Sequence, residues 1–190
     1  MSVDVQFACE DAGVPDENVI RSWVELAADR SGRLPQREVE FAVRVVGEAE
    51  IQTLNQLYRN KDGVTNVLSF PAGAIDGLPD DEVQQMGDIV VCASVVRDEA
   101  VRQSKRLEDH WAHMLIHGAL HLLGYDHGED KDAEEMENLE AAILKSRGIA
   151  DPSPAWCCSA SRSPSSSGSP SPPPTTRPRP RCSSSGSSWR

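Results

Sequence analysis

Three of the chain's five histidines fall within eleven residues, His117-Gly118-Ala119-Leu120-His121-Leu122-Leu123-Gly124-Tyr125-Asp126-His127. Residues four apart on a helix project from one face, one turn apart, so His117 and His121 can share a metal ion. Gly124 tolerates the left-handed conformation that ends a helix. The chain then reverses, and His127 can swing back as a third ligand. Three histidines with one open position make a catalytic zinc site rather than a structural one. An isolated helical histidine is ordinarily a surface or satisfied core residue; the clustering, with a helix stop between the second and third histidine, favours the metal.

The spacing H-x3-H-x5-H, with glycine three residues after the second histidine, matches the signature of the metzincin peptidases. One position departs. The glutamate that deprotonates the attacking water in zinc peptidases is Gly118 here, which argues against peptide hydrolysis by that route. A metal can still bring its water's pKa down to about 7 without that carboxylate. A second constellation runs from Leu57 to Pro71, where the cationic stretch Tyr58-Arg59-Asn60-Lys61 leads into an apolar strand. Arg59 is its candidate functional group, because guanidinium binds two phosphate oxygens in a fork. A solvated arginine at a helix C-terminus is the alternative.

These groups need a scaffold, and hydrophobic periodicity outlines it. Alternation predicts strands near 3–8, over 39–45 and over 65–70, the last stopped by Pro71. A continuous apolar run, Ile89-Val90-Val91-Cys92, predicts a central strand buried on both faces. Pro15-Asp16-Glu17 opens a first helix that Gly32 closes. Further helices are expected at about 48–58, 94–107, 109–123 and 131–147, with a loop over 72–86. The order β-α-β-α-β-β-α-α-α predicts an α+β domain: a small mixed sheet packed with about five helices, one of them a zincin-like, histidine-rich helix.

Composition divides the chain near residue 150. Residues 151–190 hold 14 Ser and 9 Pro, so 23 of 40 positions are one or the other. Too little apolar surface is present there to offset the entropy of ordering, so a disordered low-complexity tail is expected. Residues 1–150, the expected folded domain, carry 14 Lys+Arg against 29 Asp+Glu, net −15, and the tail carries 5 Arg against one acid, net +4. An acidic domain does not attract nucleic acid globally, so any RNA contact must come from a local patch. The five cysteines form no C-x-x-C pair, and Cys9 and Cys92 sit in apolar runs as reduced core residues. Without a signal peptide or an 18-residue apolar stretch, a cytoplasmic protein is expected.

Taken together, Tyr58-Arg59 through Lys61-Asp62, Thr65 to Pro71, Gly87-Asp88-Ile89 and His113 through His127 closely resemble the YbeY family of bacterial endoribonucleases and ribosomal RNA maturation factors. Met136-Glu137 through Glu140 is similar to that family's last helix, and the resemblance covers roughly 1–150. It implies one zinc ion on His117, His121 and His127, with Arg59 as the key basic residue. It also implies cleavage of single-stranded RNA in 16S rRNA 3′-end maturation and ribosome quality control, with ribosomal particles as partners. The rivals are a zinc metallopeptidase and a non-enzymatic assembly factor with structural zinc.

Weaker candidates surround this core. His113, one turn before His117, is placed either on RNA or behind the ligands. Asp88 and Asp126 are candidates to orient a ligand imidazole. Arg97, Arg102, Lys105 and Arg106 form a basic cluster on one helix, either a solvated face or a contact for the RNA backbone. The composition switch falls where chains of the family usually stop, which fits a frameshifted reading of GC-rich DNA.

Overall fold

The computed structural model describes residues 1–73, 79, 82–126 and 130–149. The expected tail, residues 151–190, lies outside the described residues, as does His127. The element order is β1 (Ser2–Phe7), α1 (Glu17–Ser31), β2 (Val39–Val46), α2 (Glu48–Arg59), β3 (Val67–Pro71), β4 (Gln84–Cys92), α3 (Ala93–Arg102), α4 (Leu107–Leu122) and α5 (Asp130–Ser146). The four strands form one mixed sheet in the order β1-β2-β4-β3. β1, β2 and β4 are parallel, and β3 is an antiparallel edge strand. The described residues form an α+β domain with five helices, as the periodicity predicts.

Strand parity decides which helix each face receives. Phe41, Val43, Val45, Val67, Ile89 and Val91 point to one face and share a core with α1, α4 and α5. Val46, Leu68, Val90 and Cys92 point to the other face, where Ile51 and Leu54 of α2 cover them. α4 is nearly apolar all round and largely buried, its polar residues being mainly the histidines. Asp16 caps α1 by accepting from the backbone N–H groups of Asn18 and Val19, which satisfies two donors the helix leaves open. No helix among the described residues is long and apolar enough to cross a membrane.

Two boundaries differ from expectation. β4 begins at Gln84, inside the predicted loop, because polar Gln84-Gln85 and Gly87 hide a strand whose ladder is made by its neighbours. A register shift lies between Glu40 and Phe41 opposite this region. Gly87 there has φ +129°, and a Cβ on it would lie 2.2 Å from the Phe70 carbonyl oxygen, so only glycine fits. α3 ends at Arg102 rather than near 107, since Ser104 turns left-handed at φ 54°.

Candidate metal centre

His110, His113, His117 and His121 run along α4, and three of them meet at its inner side. His117 Nδ1 lies 2.8 Å from Glu140 Oε1, and His113 Nε2 lies 3.2 Å from Glu140 Oε2. Both imidazoles donate, because a carboxylate only accepts. Burial alone would raise the Glu140 carboxyl; the hydrogen bonds from His113 and His117 overcome that and hold it well below the usual carboxylate range. Glu140 is 2 % exposed, so one ionised carboxylate sits in the core between two rings and anchors α5 to α4.

His121 is anchored differently. Its Nδ1 donates to the Tyr125 carbonyl oxygen at 2.9 Å, so that nitrogen carries the proton. The Tyr125 carbonyl is placed there by the turn after α4, where Gly124 adopts φ +82°. The Tyr125 hydroxyl donates to the Ser31 carbonyl oxygen at 2.8 Å, and the Arg33 guanidinium lies 3.6 Å over its ring while donating to the Gly124 carbonyl oxygen. The C-terminal end of α1 thus clamps the turn.

With both Nδ1 atoms acting as donors, each neutral ring presents its Nε2 lone pair as an acceptor, and the two Nε2 atoms lie 3.1 Å apart. Two neutral imidazoles so arranged repel unless a cation stands between them. Two nitrogens bound tetrahedrally to zinc at about 2.0–2.1 Å stand roughly 3.3 Å apart. The donor set therefore fits zinc in tautomer and spacing. Among the described residues no three ligand-type side chains form a group that could hold a metal; His127, the expected third ligand, lies outside them.

The remaining expected residues fall in several places. His113 is 5 % exposed and committed to Glu140, so it has no surface for RNA and stands behind the other two histidines. Asp88 is a correction. Ile89 packs under α4, so its neighbour in the strand points to the opposite face, toward α2, and cannot orient a ligand imidazole. Asp126 is exposed beside the turn. Arg59 is exposed at the end of α2, on the sheet face away from α4. The segment after it is held by Asn55, buried, whose side-chain amide donates to the Gly63 carbonyl at 3.0 Å. The basic cluster is largely matched by acids: Arg97 pairs with Asp11 and Asp98, Arg102 with Glu99, and Arg106 with Glu108. Burial pushes the Lys105 ammonium down to about 8.

Sequence reasoning did not assign roles to Glu140 or to the pair His110–Glu99. His110, 1 % exposed, donates from Nε2 to Glu99 Oε2 at 2.9 Å, and Asn66 Nδ2 donates to the same oxygen at 3.1 Å. This joins α3 and α4 to the segment before β3. An acidic residue at a core-facing position of α5, Glu140 between Met136 and Leu144, was the one available signal. Four residues from each of two apolar neighbours, it shares their helix face, but only contact could name its partners.

Gly118 has a packing role. A Cβ there would lie 2.6 Å from Ile89 Cγ2, and the Ser69 hydroxyl donates to the Gly118 carbonyl at 3.2 Å. The position occupied by the peptidase glutamate thus faces β4 in this fold. Gly118→Ala is expected to lower stability by about 1–3 kcal/mol through overpacking, against a helix-propensity gain of roughly 1 kcal/mol. Thermal melts of the single variant and of Gly118→Ala with Ile89→Ala test it: the cost should vanish in the second background.

The family model for endoribonuclease YbeY matches residues 6–148. A Thermotoga maritima protein known from a solution structure is 26 % identical, with a TM-score of 0.49, covering 80 % of this chain and 98 % of that one.

Proposed function

Because the chain belongs to the YbeY family of endoribonucleases, we propose that it cuts single-stranded RNA with one zinc ion held by His117, His121 and His127. We further propose that it acts in the cytoplasm on ribosomal particles, in 16S rRNA 3′-end maturation and ribosome quality control. The observation that carries the zinc reading is the pair of facing Nε2 atoms, 3.1 Å apart, each on a ring whose Nδ1 proton is already committed.

Zinc, when bound, supplies Lewis acidity toward a phosphodiester. The chain's own residues do the rest. Glu140 keeps His117 in the tautomer that exposes Nε2 and fixes the orientation of its ring. The Tyr125 carbonyl does the same for His121 without adding charge. Arg59 neutralises a phosphate of the strand, a charge-assisted and geometrically forked contact. Because α2 and α4 lie on opposite sheet faces, an RNA strand that meets both Arg59 and the histidines has to pass the β3 edge. Arg97 and Arg102 remain candidates for more distant backbone contacts, for which RNA would compete with Asp11, Asp98 and Glu99. The nucleophile is either water or the 2′-hydroxyl; a 2′,3′-cyclic phosphate product would identify the second.

Two rivals are tested by the same preparation. A metallopeptidase needs a base at position 118, which is filled by packing against Ile89. A structural-zinc assembly factor needs no open coordination position. The expected result is cleavage of labelled single-stranded RNA, no cleavage of casein, loss of activity on chelation and recovery with about one zinc per chain. X-ray absorption should find three nitrogens and one exchangeable oxygen. Sulfur in the first coordination shell, or RNA cleavage unaffected by His117→Ala, would overturn the reading.

A further inference from the structure

β3 is an outer strand of the sheet, so one of its two edges faces away from β4. In an antiparallel pair, the backbone groups of alternate residues turn toward the neighbouring strand and away from it. The Cys92 N–H donates to the Asn66 carbonyl at 2.8 Å, and the Ala72 N–H donates to the Met86 carbonyl at 3.0 Å. Between these two bonds the register pairs Leu68 with Val90 and Phe70 with Asp88. The even-numbered residues are therefore bonded to β4, and the backbone groups of Val67, Ser69 and Pro71 point outward.

These three outward positions are not alike. The Val67 N–H is taken by its neighbour, donating to Asn66 Oδ1 at 2.7 Å, and the Asn66 amide is held in turn by Glu99 at 3.1 Å. Pro71 has no N–H. The Ser69 N–H is thus the one donor that this edge presents among the described residues, beside the three carbonyls of Val67, Ser69 and Pro71, which have no backbone partner there. A peptide strand added to the edge would look for a donor at every second residue. It would find one in three, the kind of blunting that protects sheet edges from other chains. A chain that brings a phosphate to the single donor and hydroxyls to the acceptors fits this pattern instead. The Ser69 side chain sets the donor against the metal-binding helix, its hydroxyl donating to the carbonyl of Gly118, the residue after His117.

We propose that the outer edge of β3 registers the RNA backbone. The Ser69 N–H donates to a non-bridging phosphate oxygen, and the flanking Val67 and Pro71 carbonyls accept the 2′-hydroxyls of neighbouring nucleotides. Outward groups recur at every second residue, about 6.8 Å apart, a step that an extended ribose–phosphate chain can follow. The bond to phosphate is charge-assisted, and the 2′-hydroxyl is the group that separates RNA from DNA. The inference rests on the RNA reading above and adds to it a binding element made of main chain.

The test is amide hydrogen exchange read by NMR on the full zinc-loaded chain, with octa-uridine RNA as the probe and strand integrity checked on a gel. In the free protein the Ser69 amide is expected to exchange about tenfold faster than those of Leu68 and Phe70, and saturating RNA should slow it about tenfold. In equilibrium binding, a 2′-fluoro strand, whose substituent cannot donate, should bind about tenfold weaker than the ribose strand. Ser69→Pro deletes the outward N–H without removing a ladder bond. Its loss of RNA affinity should exceed that of Ser69→Ala, which deletes only the hydroxyl, by about fivefold. A Ser69 amide unaffected by RNA, equal affinity for the two strands, or equal losses in the two variants would overturn the proposal. So would slowing of that amide by an octapeptide of alternating threonine and valine instead of RNA, which would assign the edge to a protein strand. If Ser69→Pro does not fold, the exchange and 2′-fluoro measurements decide, since both use the parent chain. Failure to bind either strand would overturn the RNA reading as well, whereas RNA binding that leaves Ser69 unprotected would overturn the edge alone.

Discussion

Replacing Glu140 with glutamine is expected to weaken zinc binding by about 10–100-fold, the usual consequence of losing a partner that orients a metal-binding imidazole. Glu140 accepts from His117 and His113 at once. Glutamine has only one accepting atom, so one of the two rings loses its acceptor and His117 is no longer held in a single tautomer. Hydrogen bonds to a charged group contribute about 1.5–3 kcal/mol each, so the metal-free protein should also lose stability by roughly that amount. Competition with a chromogenic chelator reads the first effect and thermal melting of the chelated protein reads the second. Unchanged zinc affinity in a folded Glu140→Gln protein would remove Glu140 from the site.

The same cluster sets a pH dependence for the metal-free protein. Burial keeps the His113 imidazole below its ordinary pKa, against the opposing pull of Glu140. In the unfolded chain His113 takes up a proton near pH 6.5. Below that pH the unfolded state binds more protons, so stability is full above about 6.5 and falls as the solution is acidified. The Glu140 shift acts in the same direction at lower pH, since its stabilisation is lost only when the carboxylate is finally protonated.

Reversing the charge of Arg59, as Arg59→Glu, is expected to abolish RNA cleavage at unchanged fold and zinc content. Arg59 is exposed at the end of α2 and no core contact depends on it. The backbone there is set by Asn60, left-handed at φ 52°, whose N–H returns to the last turn of α2. The substitution therefore leaves the helix end intact, while a phosphate that was attracted is repelled. Circular dichroism, metal content and a cleavage assay on one preparation separate the cases. Cleavage at the wild-type rate would reduce Arg59 to a solvated helix-end residue.

The pairing of His117 with His121 and the stop at Gly124 were legible in the amino-acid sequence because both are local. A 3.6-residue repeat places residues four apart on one face whatever surrounds them, and glycine marks the left-handed turn by its own backbone freedom. The α+β class followed from the same kind of local pattern. Tertiary structure decided the rest, for two physical reasons. The first is parity: a strand's side chains alternate, so a one-residue shift exchanges its faces. Ile89-Val90-Val91-Cys92 is apolar on both faces, and nothing in that run says whether Asp88 or Ile89 looks toward α4. Packing of Ile89 against Gly118 settles it, and sends Asp88 to the α2 side of the sheet. The second is distance along the chain. Glu140 lies 23 residues from His117 and 27 from His113, and its carboxylate meets their imidazoles only because the apolar faces of α4 and α5 pack together. No repeat in either helix encodes that contact; it arises where two locally specified elements share one core.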